Sequence, residues 1–373
     1  MRIVFAAGGT GGHINPALAV AGELRRRDPA TKILFVGTRE KMESKLVPAA
    51  GFDFLNIEIT GFHRKLSAQN IKLNLMTLAK ILKASSQART ILHDFNPDVV
   101  VGFGGYVSGP VVRTAAKMGI KTAIHEQNAY PGIANKALAK IADRTMLTTE
   151  KAAEHLSCKH EPIVTGLPIR GEILTADRAF SRAELRLDER PMILSTGGSL
   201  GARVFNQAIV DLITAMHSSG ECTFIHAHGQ AGAWVPEKLR ENGVDLEKEK
   251  HVVVKEYIYD MPRCLAAADI IINRAGASTL TEIEAQGIAS ILIPSPNVTE
   301  NHQYHNAMDL VRHDAAIMIE EKDLTPEFLA ATVKDLLADK EKRERIGANA
   351  KKMLVPDAQK KIADELIKLA QSK

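Results

Sequence analysis

Short apolar runs alternate with longer amphipathic stretches from one end of the chain to the other. In the first half, residues 3–7, 33–36, 54–59, 99–101, 122–125 and 145–147 read as buried strands, with helical patterns such as 16–27 and 109–118 between them. The second half repeats the scheme, with strands at 192–195, 224–227, 252–255, 270–273 and 290–293 and helices over 203–217, 278–286 and 301–313. Such alternation is what βαβ units on a parallel sheet require. The halves also open alike: one apolar run enters Gly8-Gly9-Thr10-Gly11-Gly12-His13, the other Gly197-Gly198-Ser199-Leu200-Gly201-Ala202-Arg203. Residues 162–168 carry the Pro/Gly punctuation of a linker. The pattern predicts an α/β protein of two Rossmann-like, doubly wound parallel-sheet domains, 1–166 and 167–356, facing each other across a deep cleft. A last helix, 357–373, follows Pro356 and is expected to pack back on the first domain.

Composition narrows this picture. A length of 373 residues suits two or more domains, and 45% hydrophobic with 25% charged residues is a globular balance. Cys158, Cys222 and Cys264 form no C-x-x-C pair, which excludes a disulfide scaffold and a cysteine zinc site. No apolar run reaches the roughly 18 residues of a spanning helix, and the N-terminus turns glycine-rich too early for a signal peptide. A soluble cytoplasmic protein is expected. Charge is uneven: residues 1–166 hold 22 Lys/Arg and 13 Asp/Glu, a net of +9, while 167–373 hold 26 and 31, a net of −5. A basic first half suits a phosphorylated substrate or an anionic lipid surface. Nucleic acid is not expected, because the few aromatics do not interleave with the basic residues.

Glycine-rich turns after a first strand bring backbone N–H groups and a helix N-terminus to an anionic ligand. The dinucleotide spelling G-x-G-x-x-G fails in both loops, at Ile14 or Thr10 in the first and at Ser199 in the second. Glycine clusters recur after other strands, at Gly102-Phe103-Gly104-Gly105-Tyr106 and Arg274-Ala275-Gly276-Ala277. Ligands in such folds bind beyond the carboxyl ends of the strands, where all four clusters belong.

Five segments in order carry a family resemblance: the two loops above, Gly104-Gly105-Tyr106-Val107-Ser108-Gly109-Pro110, His125-Glu126-Gln127-Asn128, and Arg274-Ala275-Gly276-Ala277-Ser278-Thr279-Leu280-Thr281-Glu282. Over about residues 1–310 the chain resembles the MurG family of peptidoglycan N-acetylglucosaminyltransferases. The resemblance implies the GT-B glycosyltransferase fold, with UDP-GlcNAc on the second domain and undecaprenyl-diphosphate-linked muramoyl peptide (lipid I) on the first. It implies an inverting transfer that makes lipid II at the cytoplasmic face of the bacterial inner membrane, by a peripheral protein. Other cell-wall synthesis proteins are further expected partners.

The residues make chemical sense in those roles. No D-x-D triplet exists to hold a metal–diphosphate clamp, so no cofactor is expected to be required, although divalent-ion stimulation stays open. Backbone amides and the Ser199 hydroxyl, at the start of the 203–217 helix, serve the diphosphate instead. By resemblance Thr10, Gly11, Gly12, Asn128, Arg170, Ala277 and the Tyr257-Ile258 pair line the donor, with the uracil at Tyr257-Ile258. Glu282 holds the ribose hydroxyls, and His302 and Gln303 meet the sugar. Gly104, Tyr106 and Ser108 belong to the acceptor loop. The acceptor hydroxyl must lose a proton, and His13 is the candidate base, with Glu126 and Asn128 as the other polar catalytic candidates. Whether His13 is the base or only braces its loop is open at this level. Leu200 stands where the family often has a glutamine. His226 and His228 form an H-x-H pair without further ligands, so no metal site is expected.

A membrane contact is also expected. Ile71, Leu75, Leu78 and Leu82 share one helical face, flanked by Lys72, Lys80 and Lys83, which suits an anionic bilayer surface. Rival readings are a UDP-GlcNAc 2-epimerase, a UDP-sugar glycolipid synthase with a diacylglycerol acceptor, and a catalytically silent nucleotide-sugar-binding scaffold.

Overall fold

The computed structural model describes residues 1–59 and 68–372, with the side chains of residues 68–79 outside the description. The chain forms two compact units, Met1–Ile169 with Val355–Lys373, and Arg170–Leu354. The crossings therefore fall three residues later and two earlier than the sequence places them. The reason lies in residues 162–168. This segment is not a free linker: Ile163–Val164 forms an edge strand on the first sheet, Thr165 N–H donates to the Leu147 carbonyl at 2.9 Å, and Val355 closes on Gly166.

In the first unit, strands β1 (Arg2–Ala6), β2 (Lys32–Gly37), β3 (Asp53–Asn56), β4 (Val99–Gly102), β5 (Lys121–Glu126), β6 (Arg144–Leu147) and β7 (Ile163–Val164) make one sheet ordered β3-β2-β1-β4-β5-β6-β7. Every pairing is parallel, with Ile3 opposite Ile33 on one side and Val99 on the other. The second unit carries β8 (Met192–Thr196), β9 (Thr223–Ala227), β10 (Val252–Lys255), β11 (Ile270–Asn273), β12 (Ala289–Leu292) and β13 (Ile317–Met318), ordered β10-β9-β8-β11-β12-β13 and again all parallel. Strand order reverses between β1 and β4 and between β8 and β11. These are the switch points where open α/β sheets bind ligands.

Both faces of each sheet are covered, which is why the central strands are unbroken apolar runs. Phe5 stacks between Phe35 and Phe103 at centroid distances of 5.0 and 5.9 Å. The C-terminal helix Ala358–Gln371 buries Ile362, Ala363, Leu366 and Leu369 in the same core, against Ile14, Val20 and Leu24 of helix Gly11–Arg27. Each large aliphatic side chain so buried contributes roughly 1.5–3 kcal/mol. Arg27 with Asp364 and Arg144 with Glu365 add ion pairs at the rim.

Two helices begin earlier than the hydrophobic pattern indicates. The first starts at Gly11, not residue 16, and another runs Gly105–Lys117, not from residue 109. In both, proline and glycine disguise the opening turns, since these residues read as breakers. The extension matters because it puts His13 in a first helical turn.

Candidate active site

The carboxyl ends of β1, β4 and β5 converge in the first unit. Gly105 has φ +75°, and a side chain there would strike the Gly8 carbonyl, so only glycine lets these two loops touch. His13 sits half-buried between them. Its Nδ1 lies 3.1 Å from the Gly8 carbonyl and 3.3 Å from Thr10 Oγ1. A carbonyl only accepts, so Nδ1 carries the proton and Nε2 is left with a lone pair. Burial lowers the imidazole pKa, while the Gly8 hydrogen bond and the Glu43 charge oppose that fall. The result is a ring kept neutral, with its basic nitrogen defined. Thr10 and Gly12 are exposed, Gly11 is half-buried, and no side chain caps this helix N-terminus, so its leading N–H groups suit an anion. The Tyr106 ring edge lies over Gly9.

Three sequence-level candidates have other work. Ser108 is wholly buried; its hydroxyl lies 2.9 Å from the Ala6 carbonyl and 2.8 Å from the Gly104 carbonyl, and accepts from Gly104 N–H at 3.0 Å. It staples β1 to the helix after β4 and cannot touch an acceptor. Gly104 is buried too, with its N–H engaged, and serves as the wall against which the His13 ring rests. Glu126 is buried with four donors around it: Asn128 N–H at 3.0 Å, Asn128 Nδ2 at 3.1 Å, Gly132 N–H at 3.2 Å and Asn135 Nδ2 at 2.8 Å. Burial pushes its pKa up and the donors pull it back. A carboxylate so enclosed builds the 126–132 loop and holds Asn128; it is not a free base. His125 is likewise structural, neutral with a pKa of about 4, with Nε2–H toward the Gly166 carbonyl at 2.9 Å and Nδ1 toward Gln127 at 3.2 Å.

In the second unit, Gly201 (φ +78°) packs on the His228 carbonyl, and Asn206 Nδ2 donates to the same carbonyl at 2.8 Å. The loop 197–202 is thereby clamped to the end of β9. Helix Arg203–Met216 starts beyond it, uncapped by any side chain and with no acid in its first turn. Ser199 is therefore not at the helix start, as the sequence suggests, but exposed in the loop four residues before it. Arg170 Nη2 lies 3.7 Å from Glu282 Oε1. Burial raises the Glu282 pKa and the guanidinium counters it. Ala277 opens the helix Ala277–Gln286 that carries Glu282. Tyr257 is half exposed and edge-on to Tyr259 at 5.0 Å, whereas Ile258 is buried, so only its backbone is available to a base.

Glu300 and Asn301 both take left-handed backbone angles, a strained step into helix His302–Arg312. The helix is held by Gln303 Oε1, accepting from Ser295 N–H at 2.9 Å, and by Asn306 Nδ2, donating to the Ala275 carbonyl at 3.1 Å. Gln303 thus has its amide oxygen engaged by the backbone. His302 Nδ1 contacts the Thr299 carbonyl at 2.8 Å. His226 is buried with a pKa lowered to about 3, and among the described residues no cluster of His, Cys, Asp or Glu could hold a metal ion.

Of the membrane-facing candidates, Ile71, Lys72, Leu75 and Leu78 have side chains outside the description. Lys80 and Leu82 are exposed, Leu82 at 70%, while Lys83 pairs with Glu58 at 2.8 Å. Among the described residues no helix is long and apolar enough to cross a membrane.

Sequence reading missed Glu43. It is wholly buried under the first glycine loop, where Oε2 accepts from Gly9 N–H at 3.2 Å. Nothing in the sequence joins positions 34 apart; an acid opening the short helix Glu43–Ala49 looks like a dipole-stabilised surface residue.

Residues 3–147 match the glycosyltransferase family 28 N-terminal domain and residues 192–362 its C-terminal domain. The chain belongs to glycosyltransferase family 28. This family 28 enzyme is 43% identical over 360 residues, 96% of each chain, to a Desulforamulus reducens protein named UDP-N-acetylglucosamine–N-acetylmuramyl-(pentapeptide) pyrophosphoryl-undecaprenol N-acetylglucosamine transferase. It is also similar to the crystal structure of Acinetobacter baumannii MurG, at 29% identity and TM-score 0.78, covering 98% and 99% of the two chains. A UDP-GlcNAc 2-epimerase from Neisseria meningitidis shares the fold, at 15% identity and TM-score 0.67 over 99% and 100% of the chains. The family 28 enzyme is thus a glycosyltransferase of GT-B architecture, built of two parallel-sheet α/β domains.

Proposed function

We propose that this family 28 enzyme moves GlcNAc from UDP-GlcNAc to the C4 hydroxyl of MurNAc in undecaprenyl-diphosphate-linked muramoyl peptide, with inversion, to give lipid II. The observation that carries this reading is 43% identity to a transferase so named, over 96% of each chain. His13 Nε2 takes the proton of the attacking hydroxyl, since Nδ1 is committed to the Gly8 carbonyl. Asn128, held by Glu126, and Tyr106 orient the acceptor sugar.

In the second unit Glu282 accepts the ribose hydroxyls, the Ile258 backbone meets the uracil beside Tyr257, and His302 and Gln303 read the GlcNAc hydroxyls. Charge developing on the departing UDP meets the uncapped N-terminus of helix Arg203–Met216, the loop amides around Ser199, and Arg170. These groups stand in for a metal clamp, so no cofactor is required. The basic first unit, with Lys80 and exposed Leu82 on helix Ala68–Phe95, rests on the anionic inner face of the plasma membrane, where the lipid acceptor and other cell-wall synthesis proteins are found.

Transfer of labelled GlcNAc to a short-chain lipid I analogue tests the reading. Labelled lipid II analogue is expected. Turnover of UDP-GlcNAc without an acceptor would assign an epimerase, and transfer to diacylglycerol a glycolipid synthase.

A further inference from the structure

A carboxylate wholly buried without a cation is costly unless hydrogen-bond donors surround it. Glu43 has three: Oε1 accepts from Thr38 N–H at 3.0 Å and Thr38 Oγ1 at 2.7 Å, and Oε2 from Gly9 N–H at 3.2 Å. Among the described residues no Lys, Arg or His pairs with it. The glycine loop rests directly on this carboxylate: a side chain on Gly8 would lie 2.8 Å from Oε1. The N–H of Gly9 and the C=O of Gly8 belong to one peptide plane and point in opposite directions. That C=O accepts from His13 Nδ1–H at 3.1 Å. The plane is pinned from the other side as well, by the backbone of Gly105. A single amide therefore connects the buried carboxylate to the imidazole, with every donor facing an acceptor. Hydrogen bonds in such a line polarise one another.

We infer that Glu43 is a positioning residue for His13, acting through the Gly8–Gly9 peptide to hold the ring in its Nδ1–H tautomer with Nε2 free to take a proton. The assignment rests on the reading of His13 as the base. Its logic is that of an acid orienting a catalytic histidine, with one peptide group interposed. A glutamine at 43 cannot reproduce the set. If its oxygen serves Thr38, its N–H₂ confronts Gly9 N–H; if it turns over, Thr38 loses its acceptor.

The test is Glu43→Gln in the full chain, read by kcat, by donor affinity and by ¹⁵N shifts of labelled histidines. The expected result is a kcat lowered ~10–100-fold, with UDP-GlcNAc affinity within about twofold of wild type. The His13 nitrogen shifts should move from a single tautomer toward a mixture. Glu43→Gln combined with His13→Ala should be no slower than His13→Ala alone, because two residues acting through one step are not additive. Wild-type kcat with unchanged His13 shifts overturns the inference, and so does a double variant that multiplies both losses. Should Glu43→Gln fail to fold, Thr38→Val removes only the 2.7 Å hydroxyl bond and should lower kcat ~3–10-fold; a kcat equal to wild type then overturns it. If His13→Ala costs less than tenfold, the base assignment fails, while the nitrogen shifts still decide whether Glu43 governs the ring.

Discussion

The two glycine loops share a strand–glycine–helix plan and differ in what lies beneath them. In the first unit four residues separate β1 from the helix that opens at Gly11, an ionisable side chain, His13, occupies its first turn, and a buried carboxylate underpins the loop. In the second unit six residues separate β8 from helix Arg203–Met216, and the loop is wedged against backbone, at the His228 carbonyl. The side chain at its tip, Leu200, is exposed and apolar. Both helices open on an uncapped N-terminus, and only the first loop also fixes a titratable group. The same supersecondary unit thus fixes a titratable ring in one case and leaves only backbone groups at the turn in the other.

The sharpest way to break this contrast is His13→Ala. Loss of a general base should lower kcat by ~10²–10⁴ while donor affinity stays nearly constant. Saturating steady-state kinetics with calorimetric UDP-GlcNAc binding would check it. A parallel loss of donor affinity would mean that the first loop is also an anion site. Glu282→Ala probes the other unit. Removing a charged acceptor for the ribose hydroxyls should weaken UDP-GlcNAc binding by ~1.5–3 kcal/mol, about ten- to a hundredfold. Unchanged donor affinity in a folded variant would take Glu282 out of the site.

The repeated alternation of short apolar runs and amphipathic stretches made the two parallel-sheet units readable, because both faces of each sheet are buried. The short edge strands Ile163–Val164 and Ile317–Met318 were not readable, since two residues carry no period. Motif spelling singled out His13, Glu282 and Gln303 but could not separate a ligand from a brace. Ser108 and Glu126 sit inside motifs and are buried with their polar atoms engaged, facts that only packing reveals. Glu43 shows the converse: a residue outside any motif that touches the loop through a contact 34 positions away.

The second unit holds a half-buried carboxylate of another kind. Glu284 lies near Asp309, and burial with that like charge pushes its pKa up from the ordinary 4.5 to about 8. A folded-state pKa above the unfolded one means that the folded chain keeps a proton the unfolded chain releases. Stability from this group is full below about pH 4.5 and is lost as pH rises toward 8. Glu284→Gln should flatten that slope. The gain near pH 8 should be about 1–2 kcal/mol, less than the whole shift would give because the side chain is partly solvated. Urea melts from pH 5 to 8 would measure it, and an unchanged slope would mean that Glu284 ionises normally.

The smallest effect concerns the membrane contact, where the basic first unit differs from the acidic second. Helix Ala68–Phe95 turns Ala84, Ala88 and Leu92 into the core, which leaves Leu82 on the opposite side, 70% exposed. Lys83 is tied to Glu58 at 2.8 Å with both side chains largely exposed. Such a pair adds little stability, and the Glu58 charge offsets the lysine's pull on a distant anionic surface. A free lysine near that surface contributes ~1 kcal/mol, fading within a Debye length. Joint change of Lys72, Lys80 and Lys83 to glutamate should therefore weaken binding to anionic vesicles at low salt. Donor binding should survive all of these changes. Equal vesicle sedimentation of wild type and triple variant would move the membrane contact off this helix.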